Sequence, residues 1–339
     1  MPRPSVTIVS RVAGLSAALS ARGLAGSWIQ HLEGPLDTAE AKAALASTEV
    51  LVGEPALCGP LVEQCPKLVW LQSTFAGCNQ LLTASTRRDY TATRLAGCFG
   101  PDMAEYSMLH VLALERKYEA QREAQRQSHW HATRDEVGTA AGPGGKYRRL
   151  PSVTLGVLGL GDIGSEIARV ASQGFRMRVV GCRRDPTPRE SDAAAGVTRV
   201  FGLDSMPAFL AECDYLVSVL PSTPQTRGML DGDVLAACAS RSPAPALINV
   251  GRGDLLSEST ILTALDQGWL SHYIGDVFVP EPLPVESKLW AHPKVTVTPH
   301  NSAVTQPSDV VAAFEENLER YEADGVGGLR NVFDWNSGY

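Results

Sequence analysis

Two α/β domains built on parallel sheets are predicted for this 339-residue chain, and three observations predict them. Short apolar runs alternate with helical segments along most of the chain. A glycine-rich string, Gly159-Leu160-Gly161-Asp162-Ile163-Gly164, stands between one such run and a helix. A composition that is 44% apolar and 20% charged over this length supplies core for about two domains of ordinary size.

In chain order, Ser5–Ser10 reads as a strand and Val12–Arg22 as a short Ala/Leu/Ser helix. Asp37–Ser47 is an Ala-rich helix, Glu49–Gly53 a buried strand ending before Pro55, and Lys67–Gln72 another apolar strand. That strand runs into Ser73-Thr-Phe-Ala-Gly77, a turn of small residues whose backbone N–H groups suit an anion. Ala104–Arg116 has helical apolar spacing, and the charged stretch from Lys117 to His131 is expected to continue it as a solvated helix. The Gly/Pro-rich segment Thr139–Gly145 then reads as a loop at a domain border. A βαβ series follows: strand Val153–Gly159, helix Asp162–Gln173, and strands at Met177–Cys182, Asp214–Leu220, Ala246–Val250, Tyr273–Asp276 and Val295–Thr298.

Charge and composition exclude several classes. A net charge of −7, from 37 acidic and 30 basic side chains without long single-sign runs, gives no footprint for nucleic acid. No run of about 18 apolar residues exists, so no membrane span is expected. Seven cysteines, at 58, 65, 78, 98, 182, 213 and 238, form no C-x-x-C pair and are odd in number, which points to reduced thiols and a cytoplasmic protein. The first 26 residues carry Arg3, Arg11, Arg22, several serines and no acid, a composition shared with organelle presequences, so mitochondrion or plastid is the alternative. The same residues read as the opening βα unit of a folded domain. The pair His129 and His131 lacks a third ligand at sensible spacing, and no metal is expected.

G-x-G-x-x-G alone is weak, since a glycine-rich turn occurs in many α/β proteins. Here it follows a predicted strand, opens a predicted helix and leads to a second strand, the context of a dinucleotide-binding loop. Nineteen residues beyond Gly164, where NAD-selective folds place an acid for the ribose 2′-hydroxyl, the chain has Arg183 followed by Arg184. Two guanidinium groups favour a 2′-phosphate, so NADP(H) is preferred and NAD(H) is the alternative. A solvated arginine pair, with Asp185 turned toward a ribose, is the competing reading.

Three further residues fall at strand ends or following loops of the same sheet. Arg252, in Asn249-Val-Gly-Arg-Gly253, is flanked by glycines that leave space beside its guanidinium, which can clamp a carboxylate through two parallel hydrogen bonds. Glu281 lies in a proline-stiffened stretch, and His300 follows the last strand. Singly these read as an ion-pair residue, a solvated loop charge and a turn residue. Together they suit carbonyl reduction, which needs a proton donor near neutral pH, and an imidazole held by a carboxylate is such a donor.

The motifs GLGDIG, CDYLVSVLPSTPQTRGML (213–230), INVGRGDLL (248–256), GDVFVPEPLP (275–284) and VTPHNSA (297–303), in this order, resemble the D-isomer-specific 2-hydroxyacid dehydrogenase family. VWLQSTFAGCNQLL (69–82) and GCFGPDMAEY (97–106) are similar to segments of that family's substrate domain. The resemblance implies two Rossmann-like domains with a cleft between them: a discontinuous substrate domain, 1–113 plus 307–339, and a dinucleotide-binding domain, 114–306. It implies that Arg252 binds and orients the substrate, His300 protonates the carbonyl oxygen and Glu281 holds His300. Ala76, Gly77 and Cys78 would contact the substrate carboxylate. Cofactor contacts would come from the glycine loop, Arg183, Arg184, Leu220 and Pro221 at the adenine end, Thr226 near the phosphates, Val250, Gly251, Arg252, Asp276 at the nicotinamide amide, His300 and Ser302.

Arg183, in place of the acid common in the family's NAD-using members, points to reduction by NADPH of a small 2-oxo acid such as glyoxylate or hydroxypyruvate, giving the D-isomer where the product is chiral. Glu281 stands where the similar formate dehydrogenases carry an amide. The chain's end at Tyr339 is taken against the long phosphoglycerate dehydrogenases. A nucleotide-sensing corepressor scaffold and a phosphite dehydrogenase are the alternatives, since both resemble the family and share the three residues. A homodimer is expected by resemblance, with Lys117–Tyr147, including Trp130, as the arm that reaches a partner.

Overall fold

In a strand buried on both faces, residues one apart must feed opposite cores, which is why the apolar runs here are nearly unbroken. The computed structural model describes residues 3–128 and 147–339 and resolves them into two compact units, each on a parallel sheet.

One unit takes the chain up to Cys98, Pro221–Thr223 and Val304–Tyr339. It contains β1 (Val6–Val9), α1 (Leu15–Ala21), β2 (Ile29–His31), α2 (Ala39–Ser47), β3 (Val50–Gly53), α3 (Pro55–Cys58), β4 (Trp70–Ser73), α4 (Gln80–Ala84) and β5 (Thr91–Thr93). The sheet order is β2-β1-β3-β4-β5. Thr38 starts α2 by accepting the Ala41 N–H on its hydroxyl at 3.1 Å, an ordinary N-cap. The C-terminal residues return to this unit. Fully buried Trp70 stacks on Phe314 and Tyr321 at 5.6 and 5.9 Å and donates its indole N–H to Thr93 at 2.8 Å.

The other unit is made of the described residues of Phe99–Leu220 and Pro224–Ala303. It begins with α5 (Gly100–Glu115) and α6 (Tyr118–Arg126) and continues through β6 (Thr154–Leu158), α7 (Asp162–Arg169), β7 (Arg178–Cys182), α8 (Glu190–Ala194) and β8 (Val197–Phe201). Then come α9 (Met206–Glu212), β9 (Tyr215–Ser218), β10 (Ala246–Asn249), α10 (Glu258–Asp266), β11 (His272–Gly275) and β12 (Val295–Val297). The long helix α11 (Pro307–Asp324) belongs to the first unit and supplies Phe314 and Tyr321.

The seven strands run in the order β12-β11-β10-β9-β6-β7-β8, all neighbours parallel. Leu155, Val157, Val179, Val217 and Ile248 join one core, with α5 and α7 packed on it. Leu158, Val180, Leu216 and Leu247 join the opposite core, under α9 and α10. Strands are added toward one side from β6 to β8 and toward the other from β9 to β12, so the glycine loop after β6 lies at a topological switch point, where open α/β sheets bind ligands.

Two expectations change. Lys117 adopts a left-handed conformation, with φ 52°, and breaks the expected continuous helix into α5 and α6. Three strands, β2, β5 and β8, were not anticipated, and each lies at a sheet edge. Trp130, His129, His131 and the Thr139–Gly145 segment fall outside the described residues. No helix among the described residues is long and apolar enough to cross a membrane.

Candidate active site

At the end of β6 the chain turns through Gly159, whose φ of +104° is open to glycine at little cost, and its N–H donates to the Cys182 carbonyl at 2.9 Å. Gly161 precedes the first helical residue, Asp162, and Leu160 is buried beneath the loop while Ile163 is half-buried. A Cβ on Gly164 would lie 1.9 Å from the Gly159 carbonyl oxygen, so the helix meets the strand end only because that hydrogen is there. The result is a bare backbone cradle at the positive end of α7, which fits the pyrophosphate of a dinucleotide.

Arg183 departs from its expected role. It is only 8% exposed, and its guanidinium donates to both Asp192 carboxylate oxygens, at 2.5 and 2.8 Å, to the Asp185 carbonyl at 2.7 Å and to the Thr187 carbonyl. Four of its five N–H donors are thereby directed at the protein itself. The solvated guanidinium at this strand end belongs to Arg184. Asp185, which could have turned toward a ribose, accepts the Thr187 N–H on its carboxylate at 3.0 Å.

On the same sheet, His300 and Glu281 meet directly, with Nδ1 2.8 Å from Oε2. The other Glu281 oxygen accepts the Phe278 N–H at 2.8 Å, which fixes the carboxylate's orientation. The bond to Glu281 raises the His300 pKa above the ordinary imidazole value, the carboxylate's charge adding to it while burial and Arg252 oppose it. Burial acts to raise the pKa of Glu281, but the bonds from His300 and the Phe278 N–H outweigh it and keep the carboxyl below its ordinary value.

Arg252 follows β10, near enough for its charge to act on both partners. Its turn is held by Asn249, whose amide donates to the Arg252 carbonyl at 2.9 Å and whose carbonyl oxygen accepts the Gly251 N–H at 3.2 Å. Gly253, expected to leave room for the guanidinium, instead leaves room for backbone: a Cβ there would meet Phe278 main-chain atoms at 2.3 to 2.6 Å. The turn that carries Arg252 is thus packed on the turn that carries Glu281.

Asp276, fully buried at the end of β11, organises the histidine loop. Its carboxylate accepts the Thr298 hydroxyl at 2.6 Å and the N–H groups of Asn301 and Ser302 at 2.9 Å each. Between these anchors His300 sits at φ 52°, a conformation a histidine adopts only when its surroundings impose it. Tyr106, from α5, meets the Thr298 hydroxyl at 2.6 Å and completes the chain. Asn249, Tyr106, Thr298 and Asp192 were not singled out as site residues in the sequence; Asn249 and Thr298 had a local signal, each standing two residues before a residue that was, Gly251 and His300.

Val250 and Gly251 are buried at the end of β10, Leu220 is half-buried after β9, and Thr226 is buried in the following loop. In the first unit, Ala76, Gly77 and Cys78 follow β4 in a turn shaped by Ser73, whose hydroxyl accepts the Phe75 N–H at 2.9 Å and donates to the Phe75 carbonyl at 2.8 Å. Pro221 also belongs to that unit, beside Ser222, whose carbonyl accepts the Asn79 amide at 2.8 Å.

Residues 108–302 match the model of the NAD-binding domain of the D-isomer specific 2-hydroxyacid dehydrogenases. A glyoxylate/hydroxypyruvate reductase A from Enterobacter sp. (strain 638) is 35% identical over 234 residues, 69% of this chain and 68% of the relative. Among solved structures, a D-isomer specific 2-hydroxyacid dehydrogenase family protein from Aeromonas salmonicida is similar with a TM-score of 0.81 and 35% identity, over 98% of this chain and 99% of its own. An NADPH-dependent glyoxylate/hydroxypyruvate reductase from Sinorhizobium meliloti, solved with NADP and sulfate, gives a TM-score of 0.81 at 28% identity over 98% and 99% of the two chains.

Proposed function

The chain belongs to the D-isomer specific 2-hydroxyacid dehydrogenase family, and from that membership we propose that it reduces a small 2-oxo acid of the glyoxylate or hydroxypyruvate kind to the 2-hydroxy acid, with NADPH preferred over NADH. The observation that carries the chemistry is the 2.8 Å contact between His300 and Glu281, with Arg252's charge beside them.

When bound, a nicotinamide nucleotide would supply the hydride for the carbonyl carbon. The Gly159–Gly164 cradle would hold its pyrophosphate; Asp276, expected at the nicotinamide amide, is fully buried with its carboxylate given to Thr298, Asn301 and Ser302, and so would act through the histidine loop instead. Arg252 pairs its planar guanidinium with the substrate carboxylate and polarises the carbonyl. Nδ1 of His300 is committed to Glu281, so Nε2 is the nitrogen left to give a proton to the carbonyl oxygen. Glu281 keeps the ring oriented and protonated until that transfer. NADPH is favoured by the solvated Arg184 at the strand end where NAD users carry an acid, and by the NADPH dependence of the Sinorhizobium meliloti relative.

The test is loss of nicotinamide absorbance with purified protein, glyoxylate or hydroxypyruvate, and NADPH or NADH in parallel. Replacing His300 by Asn is expected to lower kcat by about 10²- to 10⁴-fold while leaving NADPH binding, read by its fluorescence, unchanged. Near-normal turnover in that variant would remove His300 as proton donor. A homodimer is part of the same proposal, and a monomer mass by light scattering would overturn it.

A further inference from the structure

The loop after β7 is built around a buried ion pair that the proposed chemistry does not use. Arg183 and Asp192 are 8% and 5% exposed and meet end-on, with Nη1 and Nη2 each donating to one carboxylate oxygen, at 2.5 and 2.8 Å. The rest of the Arg183 fork reaches the Asp185 and Thr187 carbonyls, and its backbone N–H donates to Phe201 at 3.1 Å, at the end of β8. Asp192 also accepts the Arg189 N–H at 2.8 Å. One pair therefore gathers residues 183, 185, 187, 189 and 192 into a closed loop at the strand end where a dinucleotide fold presents its ribose.

The charges within this loop are arranged unequally. Arg183 and Asp192 neutralise each other out of solvent. Asp185, the carboxylate that would repel a phosphate, is turned onto the Thr187 N–H at 3.0 Å, with an Arg189 nitrogen 3.9 Å away. Arg184 is left exposed beside them.

We infer that Asp192 is a positioning residue for cofactor choice: by locking Arg183 into the loop it makes Arg184, not Arg183, the guanidinium that receives a 2′-phosphate, and keeps Asp185 away from it. This inference rests on the NADPH reading above. Asp192 touches no part of the cofactor; it acts through the loop it closes. A carboxylate nine residues after the strand-end arginine thereby decides which of two adjacent arginines is available.

The experiment is calorimetric titration of the whole protein with 2′,5′-ADP and, separately, with ADP, which lacks the 2′-phosphate. Arg184→Gln is expected to lower affinity for 2′,5′-ADP by about tenfold or more and to leave ADP binding unchanged, the loss of one charge-assisted contact. Asp192→Asn keeps the shape and removes the charge; it is expected to weaken 2′,5′-ADP several-fold with ADP binding intact, which also shows that the domain is folded. The double variant is expected to be no weaker than Arg184→Gln alone, because Asp192 acts through Arg184. If Asp192→Asn binds 2′,5′-ADP as well as the parent or more tightly, Arg184 is presented without help from Asp192, or a released Arg183 serves the phosphate equally well, and the inference fails while the NADPH reading stands. Additive losses in the double variant overturn it in the same way. If the parent protein binds 2′,5′-ADP no better than ADP, the NADPH reading fails, and the role given to Asp192 fails with it.

Discussion

His300 Nδ1 lies 2.8 Å from Glu281 Oε2, so one carboxylate both orients the ring and holds its proton. The raised His300 pKa gives the sign of the pH dependence: reduction needs the imidazolium, so kcat/KM is full below that pKa and falls as pH rises through it. Glu281→Gln keeps an acceptor oxygen for Nδ1 but removes the charge. The descending limb of the profile is then expected to move to lower pH, with neutral-pH turnover reduced by about 10- to 100-fold. Rates of glyoxylate reduction across the pH range check this, and an unmoved limb would mean that Glu281 does not set the proton affinity of His300.

Tyr106 acts on the same histidine through Thr298 and Asp276. The Thr298 hydroxyl donates to Asp276 at 2.6 Å, so the Tyr106 hydroxyl, 2.6 Å from Thr298, is the donor in that contact. Tyr106→Phe deletes a hydrogen bond worth about 1 kcal/mol. A several-fold fall in kcat is expected with the pH midpoint unchanged, because the Glu281 contact is untouched. Thr298→Val, which takes a donor from the Asp276 carboxylate, is expected to cost more. A shift of the pH midpoint in Tyr106→Phe would instead place the tyrosine in the proton-holding machinery.

What was legible in the sequence follows the range of the interactions. The nucleotide loop, Arg252, Glu281 and His300 each sit in a short string at the end of an apolar run, and central strands buried on both faces announce themselves as such runs. The edge strands β2, β5 and β8 do not: β8 has two exposed residues at Thr198 and Arg199 and only Phe201 buried, and β2 and β5 are three residues each. Tyr106 and Thr298 are 192 residues apart, so nothing local to either marks their contact. Arg183 shows the opposite failure. Arg183 is legible as a strand-end arginine, but its partner at Asp192 becomes visible only once the loop folds back.

At the amino-terminal ends of the central strands of the seven-stranded sheet, Asp214 accepts the Thr154 N–H at 2.8 Å, Arg148 at 2.7 Å and Arg241 at 2.5 Å. Arg148 also grips Glu115, at 2.5 and 3.0 Å, and Tyr215 donates to the same carboxylate at 2.8 Å. Asp214 and Glu115 are 5% and 6% exposed, so their charges are tolerable only because these donors surround them. Asp214→Ala would leave the Arg241 and Thr154 donors short of an acceptor at the starts of β9 and β6. Removing one partner of a buried pair costs about 3–5 kcal/mol, and the Glu115 contact retained by Arg148 puts this case at the lower end. Denaturant unfolding of the variant is expected to show a lower midpoint with an unchanged slope. The proposed catalytic groups lie at the carboxyl ends of the strands, so KM, kcat and the pH profile are expected to match those of the parent at temperatures where the variant is folded. A loss of stability below about 1 kcal/mol would mean that Asp214 is solvated enough to be dispensable.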